Sequence, residues 1–510
     1  MISFLARRFI ASIVVLLVAS YLVYVLTCYS GDPLQDLEQT KLPNKQFLID
    51  QRIAFLHLDV PPALRYFIWF GGILQGFVGN FSLGLTNGGQ QVTAQLGTAV
   101  VSTLQLLSAA TVIAIVVGLT IGIATALRQY TAFDYATTFV SFLFYSLPSF
   151  WLAVMLKQYL AIGFNNFLQD PVISPIVIAA IAVAMGIVWL GILGGSLRRR
   201  LTIFLISGAA TAAVLLYLSA TRWFDDPSLG IGVVGVLAIG LAVLVTALTA
   251  GLENRRALYS ALTTAAIGIA LYYPLQYVFP YASFGLIALL AFAAIGVGLL
   301  VGWLWGGFDR DVSMRGAAIT AVLVGIVIAI DRFMRVWRIY TTSSYINNRP
   351  IATIGSGTPN LQGDFWVTGL DTFTHLALPT LAFTLASLAA YSRYTRASML
   401  DVMNQDYIRT ARSKGLNERT VVMRHAFRNA LIPIVTIITL DFGALIGGAI
   451  VTEKVFGIQG MGALFQNALT VVDVNTVMGV FLVTGISAIV FNVIADVVYS
   501  SLDPRIRVSS

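Results

Sequence analysis

The chain has 510 residues, 58% of them hydrophobic and only 11% charged, against roughly 25% charged in an ordinary soluble domain. That composition cannot cover a water-facing surface and predicts an all-α polytopic membrane protein. The net charge of +8 sits in short loops between apolar runs, so it reads as a device for orientation in a membrane and not as nucleic-acid binding. The single cysteine, Cys28, excludes an internal disulfide and a thiolate metal cluster.

Arg7 and Arg8 precede an apolar run over 9–29, long enough to cross about 30 Å of hydrocarbon. That length predicts a retained first helix instead of a cleaved leader, and Thr27 is a poor neighbour for a lipid-modified Cys28. Segment 30–97 is too long for a connector. Its aromatic, glycine-rich stretch RYFIWFGGILQGFVGNFSLG, 65–84, suits the membrane interface.

Further spans are predicted at 98–127, 136–163, 172–195, 201–220, 229–250, 257–279, 283–305, 316–334, 376–398, 431–452 and 476–498, about twelve transmembrane helices in all. With Arg7 and Arg8 in the cytoplasm, both termini are cytoplasmic. Then 20 of the 31 Lys and Arg fall in inside loops and 10 outside, with Lys157 within a span, the bias that membrane insertion favours. The glycine pairs Gly118 and Gly122, Gly191 and Gly195, and Gly443 and Gly447 have the spacing that lets helix backbones approach in lipid. A second outside segment, 335–375, mixes Arg335, Arg338, Asp364 and Trp366. Like 30–97, it is open to three readings: a docking surface, a cap over a pathway, or a passive lid.

The stretch 407–435, YIRTARSKGLNERTVVMRHAFRNALIPIV, is the densest charge in the chain. Eight Lys and Arg between Arg393 and Arg428 face three acids, Asp401, Asp406 and Glu418. Orientation alone needs two or three cations. The local chemistry is that of a rigid bracket: residues 398–413 have few breakers, Gly415 can end a helix through a left-handed backbone, and Asn417 can cap a second short helix from Glu418. Pro433 then re-enters the membrane.

The pattern Ala411, Gly415, then Ile432 and Pro433 resembles the cytoplasmic coupling motif of type I ABC importer permeases. Arg409 and Thr410 ahead of Ala411 resemble the dipeptide and oligopeptide branch, B-type subunit. Other stretches agree in order: GDP at 31–33, SLPSFW at 146–151, HLALPTLAFTLASLAAYSRYTRASML at 375–400 and LDPRIR at 502–507.

The resemblance covers about 1–165 and 358–510, a six-helix permease core with helices 1–3 before and helices 4–6 after an inserted module of about six helices at 166–357. It implies that the loop at about 399–430 couples to an ATPase through Tyr407, Arg409, Thr410, Ala411, Ser413, Lys414, Gly415, Leu416, Glu418, Arg419 and Val422, with 413–422 as the contact segment. It also implies a second related permease, two ATPase subunits or domains carrying ATP and Mg, a substrate-binding protein outside, and residence among the lipids of a prokaryotic inner cell membrane. No cofactor is expected on this chain. The outside turns depart from the family: VFGIQGMG at 455–462 has Gln459 where the family has proline, and VVDVNTVMG at 471–479 keeps Asp473. Glu453, Phe456, Gly460, Gly462 and Asp473 are expected at an outside gate or docking surface.

Asp441, near the centre of a predicted span, is either a pathway group or a buried, hydrogen-bonded neutral acid. Ser146, Pro148, Gly443 and Gly447 are further pathway candidates. His375 reads as a cap or interface residue before a metal ligand. Lysine occurs only at 41, 45, 157, 414 and 454, none at the end of a phosphate-binding Gly-x4-Gly-Lys loop, so any ATP hydrolysis belongs to another chain. Three alternatives remain open. An ion-driven secondary transporter would show two similar halves, but the charged bracket occurs once. A membrane-embedded enzyme would need clustered acids, of which the insert offers only Asp225 and Asp226 in FDDPS. The third is an importer of the same class for a nickel chelate or a glycoside.

Overall fold

The computed structural model describes residues 2–445 and 450–502. Among them the chain is helical, and one isolated bridge, Leu85 with Gln91, is its only β pairing. Ten helices are long and apolar enough to cross a membrane, or up to eleven if the bent pair Ala132–Ser146 and Ser149–Phe167 forms one span. The stretch Phe284–Thr341, one of the ten, consists of two helices, Phe284–Gly306 and Arg310–Thr341. They fold back on each other, with Gly298 on Ala317 and Ala318 and Gly302 on Ser313 and Met314.

The chain divides into two compact units: Met1–Leu160 with Thr353–Ser356 and Leu376–Ser510, and Ala161–Ala352 with Gly357–His375. In the first, helix Pro62–Leu74 lays one aromatic face on the first helix, Ile2–Cys28. Tyr66 and Trp69 are buried beside Tyr24, the Ser20 and Tyr66 hydroxyls share a hydrogen bond of 2.7 Å, and Trp69 Nε1 donates to the Leu83 carbonyl at 3.2 Å. Phe67 and Leu64 stay exposed on the other face. Segment 30–97 is thus folded onto the helices.

The long helix Val92–Leu127 packs against Phe365–Met403 at its glycines. A Cβ on Gly118 would meet Tyr391 at 2.9 Å, and one on Gly122 would overlap Thr395. The other described pair behaves differently: nothing lies within 4 Å of a Cβ on Gly191, one on Gly195 would meet only the Arg199 side chain of the next helix turn, and the contact between the two helices is Gly186 on Phe204. The span expected over 136–163 is not straight, because Leu147 and Pro148 are extended and the helices on either side meet at 102°. Proline removes a backbone donor and disfavours helix at the residue before it.

The second unit packs small residues, Ala238, Ala242, Ala261 and Ala265, around Val324, Ile328 and Trp366. Its polar centre is Asp331, fully buried on helix Arg310–Thr341. One carboxylate oxygen accepts the Leu229 and Gly230 amides at 2.8 and 3.1 Å; the other accepts the Tyr272 hydroxyl at 2.7 Å and Arg335 Nε at 2.8 Å. Four donors satisfy a buried carboxylate that would otherwise be very costly.

Candidate functional site

The basic bracket over 406–430 is built by local chemistry. Helix Phe365–Met403 ends, the chain turns at Asn404 and Gln405, and helix Asp406–Ser413 comes next. The unbroken helix expected over 398–413 is therefore two pieces. Gly415 has φ +76° and its N–H donates to the Arg412 carbonyl at 2.9 Å, closing the turn; this left-handed conformation suits glycine. The Asn417 side chain accepts the Thr420 amide at 2.8 Å, an N-cap. The helix it caps is not an isolated short one: Glu418–Thr420 runs through a π-helical segment, Val421–Ala426, into Phe427–Leu445. Such π segments are frequent at functional sites.

The bracket is sorted into two faces. Ile408, Ala411, Val421, Val422 and Ala426 are buried with Met399 and Ala126. Ala411 and Val422, expected as contact residues, thus support the bracket from within. Arg409, Thr410, Ser413, Lys414, Gly415 and Glu418 are exposed, with Tyr407 and Leu416 each 41% exposed and Met423 52%. Sequence reasoning does not single out Met423, although it is the one large apolar side chain between Val422 and Arg424 and escapes the buried cluster. The Arg419 side chain lies outside the described residues.

Arg412 clips the turn, with contacts of 2.6 and 3.2 Å to Glu418. Arg412's hydrogen bond holds the Glu418 carboxyl below its ordinary value. Asn429 donates to the Tyr407 hydroxyl at 2.9 Å, and Ser398 to the Ala430 carbonyl at 2.9 Å. Arg396 pairs at 3.0 Å with buried Asp134, whose carboxylate also accepts the Tyr130 amide at 3.1 Å. Arg393 covers the Tyr145 ring at 4.0 Å, a cation–π contact. The bracket is anchored on several sides and presents its cations and three apolar side chains outward.

In the membrane, the Tyr391 hydroxyl faces the Asp441 carboxyl without a formed hydrogen bond. Asp441 is partly exposed within its helix. Ser146 and Pro148 flank the 102° bend, with Ser146 Oγ bonded back to the Phe142 carbonyl at 2.8 Å. Beyond the bend, Lys157 opens a second π-helical segment, Lys157–Ile162, and its Nζ donates to the Val455 carbonyl at 3.0 Å. The Gly443 and Gly447 side-chain positions fall outside the described residues, as does most of the LDPRIR ending.

The expected outside residues form a closed corner. Glu453 is fully buried and Phe456 is 1% exposed. Glu453 accepts Thr103 Oγ1 at 2.9 Å and the Ala463 amide at 2.8 Å, while Thr103 accepts the Met461 amide at 2.8 Å. A Cβ on Gly460 would overlap Glu453, and one on Gly462 would meet Ile450 backbone at 2.7 Å, so both glycines are required by close approach. Asp473, 6% exposed, accepts the Asn87 amide at 3.1 Å and the Thr476 amide at 3.1 Å. Burial pushes its carboxyl above the ordinary value, against the pull of those amides. Glu453, Phe456 and Asp473 are thus buried and hold this corner together from inside. His375, also buried, has Nδ1 2.8 Å from the Asp371 carbonyl. No group of three or more His, Cys, Asp or Glu placed to hold a metal occurs among the described residues.

Apolar helices of spanning length, one of them bent, together with a rigid basic bracket define an all-α multi-pass membrane protein. Residues 294–508 match the family described as binding-protein-dependent transport system inner membrane component. That family is what the C-terminal part of the chain is similar to. The chain is similar to the oligopeptide transport system permease protein OppB of Mycobacterium tuberculosis, 41% identical over 155 residues, 30% of this chain and 48% of the relative. It is also similar to the permease protein AppB of Bacillus subtilis, 41% identical over 151 residues, 30% and 47% of the two chains. A third relative is the glutathione transport system permease protein GsiC of Escherichia coli, 42% identical over 139 residues, 27% and 45%. The chain spans about half the length of the curated relatives it matches.

Proposed function

We propose that this chain is a non-catalytic transmembrane subunit of an ATP-driven importer for dipeptides or oligopeptides, forming half of a translocation pathway with a second related permease. The observation that carries this reading is the bracket at 406–430, anchored by the Arg396–Asp134 and Ser398–Ala430 contacts and exposing Tyr407, Leu416 and Met423 among arginines. A surface of that kind suits a groove on a cytoplasmic ATPase: the apolar side chains fill it and the cations meet its acids or nearby anionic lipid. Two ATPase subunits or domains carry ATP and Mg, and a substrate-binding protein delivers cargo from outside. The core is 1–165 with 358–510, the module at 166–357 is inserted, and both termini are cytoplasmic.

In operation, nucleotide-driven closure of the ATPases displaces the 413–422 turn. Because the turn is clipped and buried on its inner face, displacement passes to helix Phe365–Met403 and to helix Phe427–Leu445 as rigid-body motion. Asp441 and Tyr391, on those two helices, sit where such motion changes the pathway. The names of the oligopeptide and glutathione relatives support peptides as cargo.

The test is mild-detergent purification of the tagged chain with mass spectrometry of its companions, then ATP-dependent tripeptide uptake by the reconstituted complex. A second permease and a phosphate-loop ATPase are expected, with uptake that stops without ATP. A chain that purifies alone and moves solute on an ion gradient alone would overturn the proposal.

A further inference from the structure

The second unit carries a cavity of about 510 Å³, within the range of small-molecule sites, that the import reading leaves unused. It lies past the ends of membrane helices, where Leu197–Ala220 stops at the turn over 221–229 and Arg310–Thr341 runs into the loop over 342–350. It is therefore a polar cavity open to water and not an acyl-chain groove. Its lining brings together two cations, Arg222 and Arg338, two carboxylates, Asp225 and Asp226, and two aromatic rings, Phe224 and Trp337.

Three features show that this arrangement is held and not incidental. Arg222 has φ +49° and Asn348, also in the lining, φ +58°; non-glycine residues in that region need surrounding structure to keep them there. Trp337 Nε1 donates to the Phe224 carbonyl at 3.1 Å, pinning the acidic turn against the opposite wall. The Asn348 amide donates to the Thr341 carbonyl at 3.0 Å, closing the other rim. Arg222 is partly engaged by Asp170 at 3.3 Å. Arg338, Asp225 and Asp226 make no side-chain ion pair or hydrogen bond among the described residues.

Unengaged charges of both signs at one cavity, beside aromatic faces, define a ligand that carries both signs itself. We infer that this cavity binds a small zwitterion, an amino acid or short peptide, with its carboxylate at Arg338 and Arg222 and its ammonium at Asp225 and Asp226. Arg recognises a carboxylate through a planar fork of donors, and aromatic faces next to the acids add attraction for an ammonium. The site belongs to the second unit alone and does not depend on the import reading. In the proposed orientation it faces outside.

The experiment is calorimetric titration of the purified full chain in lipid nanodiscs, without ATPase, using tri-alanine, tri-alanine amide, N-acetyl-tri-alanine and free alanine. Binding of an unblocked zwitterion is expected, weakened at least tenfold by either block. Arg338→Gln should make the free acid and the amide bind alike, and the Asp225→Asn, Asp226→Asn double variant should do the same for the free and acetylated amines. The comparison of tri-alanine with alanine then tells peptide from amino acid. Equal affinity for blocked and unblocked probes, no binding of either zwitterion, or binding unchanged in both variants would overturn the inference. The last result would assign the binding elsewhere in the chain. Failed uptake alongside charge-matched binding would sink the import reading and leave this one standing.

Discussion

The basic bracket and the buried centre of the second unit handle charge in opposite ways. At the bracket, Arg409, Arg412 and Lys414 face water, and the ion pairs of Arg409 with Asp406 and Arg412 with Glu418 are themselves exposed. Around Asp331 a single carboxylate is sealed from solvent and fully served by four donors from three segments. Charge left in water can be lent to another molecule, whereas charge sealed in a bundle specifies how helices assemble. The two regions should therefore fail differently when altered.

The sharpest separation is expected from Asp331→Ala. Removing the acid orphans two amides and leaves Arg335 without its buried partner, a class of change that costs about 3–5 kcal/mol. Thermal unfolding in detergent should fall by many degrees, and membrane abundance should drop. An unchanged melting profile would mean that the network is ornamental and the contrast false. Gly415→Pro is expected to do the reverse. Proline is confined to φ near −65°, whereas this position needs +76° and uses its N–H. Because the site is exposed with open space around it, insertion and abundance should hold while uptake falls at least about tenfold, equivalent to about 1.4 kcal/mol in the coupled step. Normal uptake would remove the bracket from the coupling role.

A smaller effect is expected from Asp441→Asn: slower uptake, by a few-fold, at unchanged abundance, read as initial rate per purified complex. An unaltered rate would return Asp441 to a packing role. The least effect belongs to Glu418→Gln, about 0.2–1 kcal/mol for an exposed pair, seen as faster proteolysis at the 413–418 turn. The sign with pH comes from the lowered Glu418 pKa. The clip's contribution is fully present above the ordinary glutamate value near 4.3 and is lost as pH falls through the lowered one. Protease sensitivity should hence stay flat near neutrality and rise only in acid, and high salt should mimic the variant. A salt-insensitive, pH-insensitive turn would show that Gly415 alone shapes it.

The same contrast explains what could be read in the sequence. The bracket's turn was legible because its causes are local: glycine at the left-handed position and asparagine three residues before the amide it caps. The all-helical membrane class was legible from apolar run lengths. Asp331 passed unnoticed because its amide partners lie about a hundred residues away, and no short-range pattern announces them. The burial of Glu453 is hidden from the sequence for a related reason. A glutamate just past an apolar span reads as solvent-facing, and only the fold brings Thr103 and the 460–463 backbone around it. The bend at Leu147 and Pro148 was available in principle, since the residue before proline avoids helix, but the unbroken hydropathy there hid it.

The close contact of Gly118 and Gly122 with Tyr391 and Thr395 has a mechanical corollary. Along helix Val92–Leu127 the buried face continues in fours, Ala110, Ala114, Gly118, Gly122 and Ala126, so glycine occurs only at the two points of nearest approach. A slip of one helical turn, about 5.4 Å, would bring Ala114 or Ala126 to a position where a Cβ cannot fit. The register of the two helices is locked against translation. Whatever force arrives at the foot of helix Phe365–Met403 must consequently emerge as tilt about that seam, with the glycine pair as its axle.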